Sequence, residues 1–263
     1  MGLDRIEAVF ARHRAGDTTR PLLNVYFTAG YPSLDDTQTL LLALDGADVD
    51  LIELGLPYSD PLADGPTIQE SSSRALRNGV TLARIFEDVA AVRDRTSTPI
   101  IAMGYYNQVL QYGAEAFLAK CVEVGIDGLI LPDLPLEVYR EELERSFERH
   151  GLGMSFLVTP RTLEARVRAL DAATRGFLYV VSSSSTTGSK GGDRPPEEAY
   201  FARLAAYGLS SPRLIGFNIS DASSLAATAR SASGGIIGSA FIRALDADDV
   251  AGSAKRFVES VRA

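Results

Sequence analysis

Glu53 and Asp64 carry the clearest acid–base chemistry in the chain. Glu53 is a lone carboxylate near the end of the apolar run Asp50-Leu51-Ile52-Glu53-Leu54. If it points into an enclosed apolar space, loss of water raises its pKa toward the range useful for proton transfer at neutral pH. The alternative is a wall residue paired to a Lys or Arg. Asp64 lies in the loop from Leu56 to Thr67, stiffened by Pro57, Pro61, Gly65 and Pro66. A carboxylate there is preorganised, yet Asp64-Gly65-Pro66 is also ordinary turn chemistry. Alone, Asp64 reads as a turn residue; it gains weight only beside Glu53. The chain holds one cysteine, Cys121, and two histidines, His13 and His150, so proton transfer must lean on carboxylates, Lys or Tyr.

A second kind of chemistry is anion binding. The segments Gly216-Phe217-Asn218-Ile219-Ser220-Asp221 and Gly235-Ile236-Ile237-Gly238-Ser239-Ala240 are short and each opens a helical pattern. Free N–H groups and the dipole at a helix N-terminus favour a phosphate; tight packing turns are the alternative. The polar, Gly-rich stretch Ser182–Asp193 has the composition of a flexible segment. Either a linker or a mobile cover over a site would suit it.

These residues need a scaffold. Strand-like runs occur at 22–28, 49–54, 99–103, 127–131, 154–158, 176–181, 213–217 and 235–237. Helical patterns lie between them, near 35–47, 67–77, 82–94, 113–124, 136–149, 162–172, 196–207, 221–230 and 248–261. Leu3, Ile6, Val9 and Phe10 add an amphipathic helix before the first strand. Regular β–α alternation argues for a parallel sheet with crossover helices. Eight such units in 263 residues predict an α/β fold, one closed (β/α)8 (TIM) barrel over 1–263 with an extra N-terminal helix. In such a barrel the site lies at the C-terminal ends of the strands, and phosphate binds at the loops after the seventh and eighth.

Composition excludes other classes. With 26 Lys and Arg against 34 Asp and Glu, the net charge is −8, which disfavours non-specific nucleic-acid binding. One cysteine permits neither an internal disulfide nor a cysteine metal cluster, and no metal site is expected. No apolar stretch approaches the ~18 residues of a membrane span, and Met1–Arg14, with Asp4, Arg5 and Glu7 and no unbroken apolar core, is not expected to be a signal peptide. A cytoplasmic protein is the expectation. Cys121 reads as a buried small hydrophobe, and His150 as the end of a helix capped by Gly151.

The block from Leu51 to Gln69, LIELGLPYSDPLADGPTIQ, resembles the signature of the tryptophan synthase alpha chain family. Further matches are Phe27–Pro32, Tyr105-Tyr106-Asn107, Leu131–Pro135, Tyr179, Thr187-Gly188, Gly216-Phe217 and Gly238-Ser239-Ala240, in order along the whole chain. The resemblance implies cleavage of indole-3-glycerol phosphate to indole and glyceraldehyde 3-phosphate, without a cofactor or metal in this chain. It implies Glu53 and Asp64 as the catalytic pair. Substrate contacts fall to Phe27, Ile68, Tyr105, Ile130, Tyr179, Thr187 and Phe217, and the phosphate to Gly188, Gly216, Asn218, Gly238 and Ser239. It also implies a pyridoxal-phosphate-dependent beta subunit as partner in an α2β2 heterotetramer, with Asp60 and Pro61 at the interface. Two positions depart from the family pattern: Asn218 stands where a glycine is usual, and Ser183–Ser185 where the covering loop often has Arg-x-Gly. Asn is the non-glycine residue that best tolerates positive φ, so Asn218 is expected in that region. A stand-alone indole-releasing lyase and another phosphate-binding barrel, such as an isomerase, remain as alternatives.

Overall fold

The computed structural model describes residues 2–62, 64–182, 197–216 and 218–263. The strands are β1 (Leu22–Thr28), β2 (Leu51–Gly55), β3 (Ile100–Met103), β4 (Gly128–Ile130), β5 (Gly153–Met154), β6 (Leu157–Val158), β7 (Leu178–Val181), β8 (Arg213–Gly216) and β9 (Gly234–Ile237). They pair in the order β5-β4-β3-β2-β1-β9-β8-β7-β6, each pair parallel. The two ends of that order are halves of one barrel strand. Ser155 N–H donates to Leu129 O on the β4 side at 3.0 Å, and Tyr179 N–H donates to Phe156 O from the β7 side at 2.8 Å. The single run expected at 154–158 is thus split where it turns from one neighbour to the other, and this closes the ring.

Residues alternate between two environments, as a strand requires. Leu22, Leu51, Ile101, Ile130, Phe177, Tyr179, Leu214 and Ile236 form a cluster inside the barrel. Leu23, Val25, Phe27, Ile52, Leu54, Ile100 and Ala102 face the helical layer in a second cluster. Every residue of β1 and β2 is buried, the pattern of a parallel sheet covered on both faces.

The helix Gly2–Ala15 plugs the N-terminal end of the barrel with Ile6, Val9 and Phe10. Arg5 fixes it there by donating to buried Asp127 at 2.5 Å. A Cβ on Gly2 would come within 2.7 Å of the Asp127 backbone, so close docking needs a glycine. A cavity of about 640 Å³ lies at this same end, lined by Arg14, Asp171, Arg175 and Ser211 among others. It is therefore remote from the C-terminal strand ends where barrel chemistry occurs.

Two helical readings need adjustment. The region after β3 holds two helices, Tyr106–Tyr112 and Ala114–Val124, parted by Gly113 at φ 91°. The helix expected at 136–149 contains a π-helical turn at Tyr139–Leu143. Gly151 caps its end at φ 61°, as expected after His150, and Cys121 is buried with its thiol pKa pushed up by loss of water. No helix among the described residues is long and apolar enough to cross a membrane.

Candidate active site

The alternation that builds the wall also aims the chemistry. Tyr26 of β1 pairs in register with Glu53 of β2, and Asn24 with Leu51. Glu53 shares the inward phase of Leu51 and is 1% exposed. Asn24 Nδ2 donates to its Oε2 at 3.0 Å. Among the described residues no Lys or Arg pairs with it, so the reading of Glu53 as an ion-paired wall residue does not hold. Burial pushes its pKa up to about 8; the Asn24 donor opposes the rise and the charge of Asp64 adds to it. Glu53 is thus largely protonated at neutral pH, yet within reach of ionisation.

Asp64 lies at the end of the β2 loop, just before the helix Pro66–Arg77. Tyr105 OH donates to its Oδ2 at 2.9 Å and accepts from Leu62 N–H at 3.0 Å. Gln69 Nε2 donates to the Asp64 carbonyl at 2.8 Å. The ring of Tyr105 stacks on Tyr58 at 5.0 Å, and Gln108 Nε2 donates to Pro57 O at 3.0 Å. The segment after β3 therefore holds the β2 loop in place. Partial burial raises the Asp64 pKa, while the Tyr105 donor favours the charged form. Asp64 thus sits at the helix entrance with its carboxylate held by Tyr105, so the turn reading and the chemical reading of its sequence context are compatible.

Two tyrosines complete the inner surface. Tyr26 and Tyr179 are buried, and burial together with the nearby Glu53 and Asp64 pushes both phenols far above their usual pKa. Both are neutral hydroxyls in the working range. Each leans over a glycine: a Cβ on Gly55 would meet Tyr26 OH at 2.2 Å, and one on Gly216 would meet Tyr179 OH at 2.3 Å. Gly216, expected at the phosphate, here makes room for Tyr179. Thr28 Oγ1 lies 3.4 Å from Tyr26 OH and 2.7 Å from Ser71 Oγ.

The remaining expected residues divide clearly. Ile130 and Tyr179 line the barrel interior. Ile68 is buried in the first turn of the helix that follows Asp64, in the cluster that also holds Tyr26. Phe27 does not reach the site. It pairs with Leu54 on the helix-facing side of the sheet and is fully buried there, because one residue along a strand reverses the face; Tyr26 occupies the inward position. Gly238 precedes the short helix Ser239–Ala244 and packs near Tyr26, where a Cβ would sit 3.3 Å from the Tyr26 Cβ. Asn218 is exposed and has φ 60°, the left-handed conformation expected of it. Asp60 is exposed, with Ser59 Oγ donating to it at 2.5 Å, and neighbouring Pro61 is partly exposed. Leu62 beside them is 80% exposed. Thr187, Gly188, Phe217 and the covering segment expected beyond Ser182 lie outside the described residues.

Asn24, Tyr26 and Thr28 are site residues that the sequence reading passed over. Their signal was present: within the strand LLNVYFT the polar groups recur at every second position, a stripe that must share one face. No group of His, Cys, Asp and Glu suited to a metal ion occurs among the described residues.

The model of the family "Tryptophan synthase alpha chain" matches residues 12–262. The tryptophan synthase alpha chain of Flavobacterium johnsoniae is 47% identical over 243 residues, covering 92% of this chain and 96% of its own length. Among solved structures, tryptophan synthase subunit alpha from Legionella pneumophila superposes with a TM-score of 0.87 at 32% identity, covering 98% of this chain and 97% of that one. A chain of the tryptophan synthase α2β2 complex from Pyrococcus furiosus gives 0.81 at 34% identity, covering 92% and 97%. A buried strand-end glutamate, an aspartate in the adjoining loop and full-length matches in both sequence and fold agree: the chain belongs to the tryptophan synthase alpha chain family.

Proposed function

We propose that the chain is a lyase that cleaves indole-3-glycerol phosphate to indole and glyceraldehyde 3-phosphate, the alpha reaction of tryptophan synthase in L-tryptophan biosynthesis. The observation that carries this is Glu53, a carboxyl group poised near neutrality inside the barrel mouth and sensing the charge of Asp64. Protonated Glu53 gives its proton to carbon 3 of the indole ring, leaving an indolenine-like cation. As a carboxylate it then takes the proton of the hydroxyl next to the bond that breaks. The O–H electron pair becomes the aldehyde C=O, and the C–C pair returns to the ring. Glu53 ends protonated, as it began, and no electrons are gained or lost. Ionised Asp64 accepts from the indole N–H and stabilises the positive charge as it develops. Ile130, Tyr179, Ile68 and Tyr105 enclose the ring.

The chemistry calls on no metal or cofactor in this chain; pyridoxal phosphate belongs to the beta partner. A single barrel domain in the cytoplasm fits this role. The substrate phosphate sits against Gly216, Asn218, Gly238 and Ser239, using backbone N–H groups. Because Asn218 already holds φ 60°, Asn218→Gly should leave affinity for glycerol 3-phosphate within about twofold, while Asn218→Val, which resists that region, should weaken it. Isothermal titration of the two variants checks this. Equal weakening by Gly and Val would remove the backbone argument.

The beta subunit docks at the Asp60-Pro61 segment, next to exposed Leu62, in an α2β2 assembly. Tyr105 couples that segment to Asp64, because one hydroxyl bonds both Leu62 N–H and the Asp64 carboxylate. The proposal is tested by incubating the chain with indole-3-glycerol phosphate and assaying indole and glyceraldehyde 3-phosphate, alone and with the beta subunit. Equimolar products, formed faster with the partner, are expected. Isomerisation of a phosphosugar without indole release would favour the alternative of another phosphate-binding barrel.

A further inference from the structure

Inside the barrel, the layer around Leu22, Leu51, Ile101, Leu214 and Ile236 is aliphatic. One amide interrupts it. Asn24 is fully buried, and its Nδ2 donates to Glu53 Oε2 at 3.0 Å. Its Oδ1 is also buried and has no hydrogen-bond partner among the described residues. A buried amide kept only for stability would be expected to satisfy both ends, since an orphaned buried acceptor is costly. Register explains the geometry: Asn24 pairs with Leu51 while Tyr26 pairs with Glu53, so Asn24 lies diagonally below Glu53 on the same face.

We propose that Asn24 is the positioning residue of Glu53, tethering one carboxyl oxygen through Nδ2 so that the other is left to carry the proton. This deepens the reading of Glu53 as the proton carrier and rests on it. The amide favours the ionised state of its neighbour: Nδ2 donates to the carboxylate after the first proton transfer, while Oδ1, which makes no bond to the acid O–H, does not offset that preference. The ionisable groups that face Glu53 from other elements are Tyr26 of β1, Tyr179 of β7 and Asp64 of the β2 loop. Both tyrosines stay neutral, which leaves Asp64, among the described residues, as the charge whose effect opposes that of the tether.

The test uses Asn24→Leu and Asn24→Asp in the reconstituted complex with the beta subunit. Asn24→Leu keeps the volume and removes both hydrogen-bonding atoms. Its kcat should fall about tenfold or more with KM within about threefold, since orientation rather than binding is lost. Its alkaline limb should move up by about one pH unit, because the donor to the ionised form has gone. Asn24→Asp puts a second carboxyl against Glu53 and should move the limb up further. A titration that needs no turnover separates this inference from the reading of the reaction. In the free chain, the Glu53 side-chain carbon, followed by 13C NMR, should titrate at higher pH in both variants than in the wild type. That shift would support the tether even if indole-3-glycerol phosphate were not the substrate. Unmoved titration of Glu53 in a folded variant overturns the proposal, as does an Asn24→Leu enzyme with wild-type kcat and limb. If Asn24→Leu does not fold, Asn24→Asp and its titration decide alone.

Discussion

Glu53→Gln should reduce indole release by about 10⁴-fold or more. A single acid–base group is worth roughly 10²–10⁴, and Glu53 serves two proton transfers in one turnover. Gln keeps the shape and can still accept from Asn24, so substrate binding should survive, and a complex of substrate with the inactive enzyme should be detectable by titration. A variant retaining a tenth of wild-type turnover would refute the role. The same substitution has a stability signature of opposite sign. The folded-state pKa of Glu53 is raised to about 8, above its ordinary value of 4.5. The folded protein therefore holds the proton more tightly than the unfolded chain, and stability is lost as pH rises between these values. Gln has no charge to bury. Glu53→Gln should be more stable than the wild type at pH 9, by on the order of a few kcal/mol, and so unfold at a higher temperature, and the gain should shrink toward pH 5. Thermal melts at the two pH values check it. An active-site group that weakens the fold in its charged state is a known compromise between activity and stability.

Asp64→Asn should lower turnover by roughly 10²–10³, comparable to removing one preorganised electrostatic group from a transition state. The Asn side-chain oxygen can still accept from Tyr105, and the backbone carbonyl that receives Gln69 is untouched. The melting temperature should therefore hold while catalysis falls. The reverse result, lower stability with intact catalysis, would leave Asp64 as a turn residue only. The contrast with Glu53 is instructive. Glu53 sits on a strand, fixed by its neighbours' register, and must change protonation state. Asp64 sits on a loop, fixed by hydrogen bonds from Tyr105 and Gln69, and must stay charged.

Much of this was legible in the amino-acid sequence because two periodicities were strong. The apolar runs and helical patterns located the barrel strands, and the lone carboxylate in an apolar run located Glu53. Register was harder. Phe27 and Tyr26 are adjacent aromatics, and only the pairing with β2 shows which one faces the barrel interior. The amide of Asn24 was hidden for the same reason, since its meaning depends on lying diagonal to Glu53 on a strand far away in sequence. The split of the fifth barrel strand into β5 and β6 follows from which neighbour each residue bonds, a long-range property. Asn218 was the opposite case: its place where the resembled family has a glycine, together with the tolerance of Asn for that region, predicted a positive φ, and φ is 60°.

The pH dependence of kcat/KM for indole release tests the central claim most directly. That ratio reports the ionisations of the free enzyme, and the phosphate of the substrate titrates on the acidic side, near pH 6. A fall in kcat/KM centred near pH 8, the value to which burial pushes Glu53, is predicted. A profile that stays flat from pH 6 to beyond pH 9 would contradict it, because Glu53 would then not be the acid that starts the reaction.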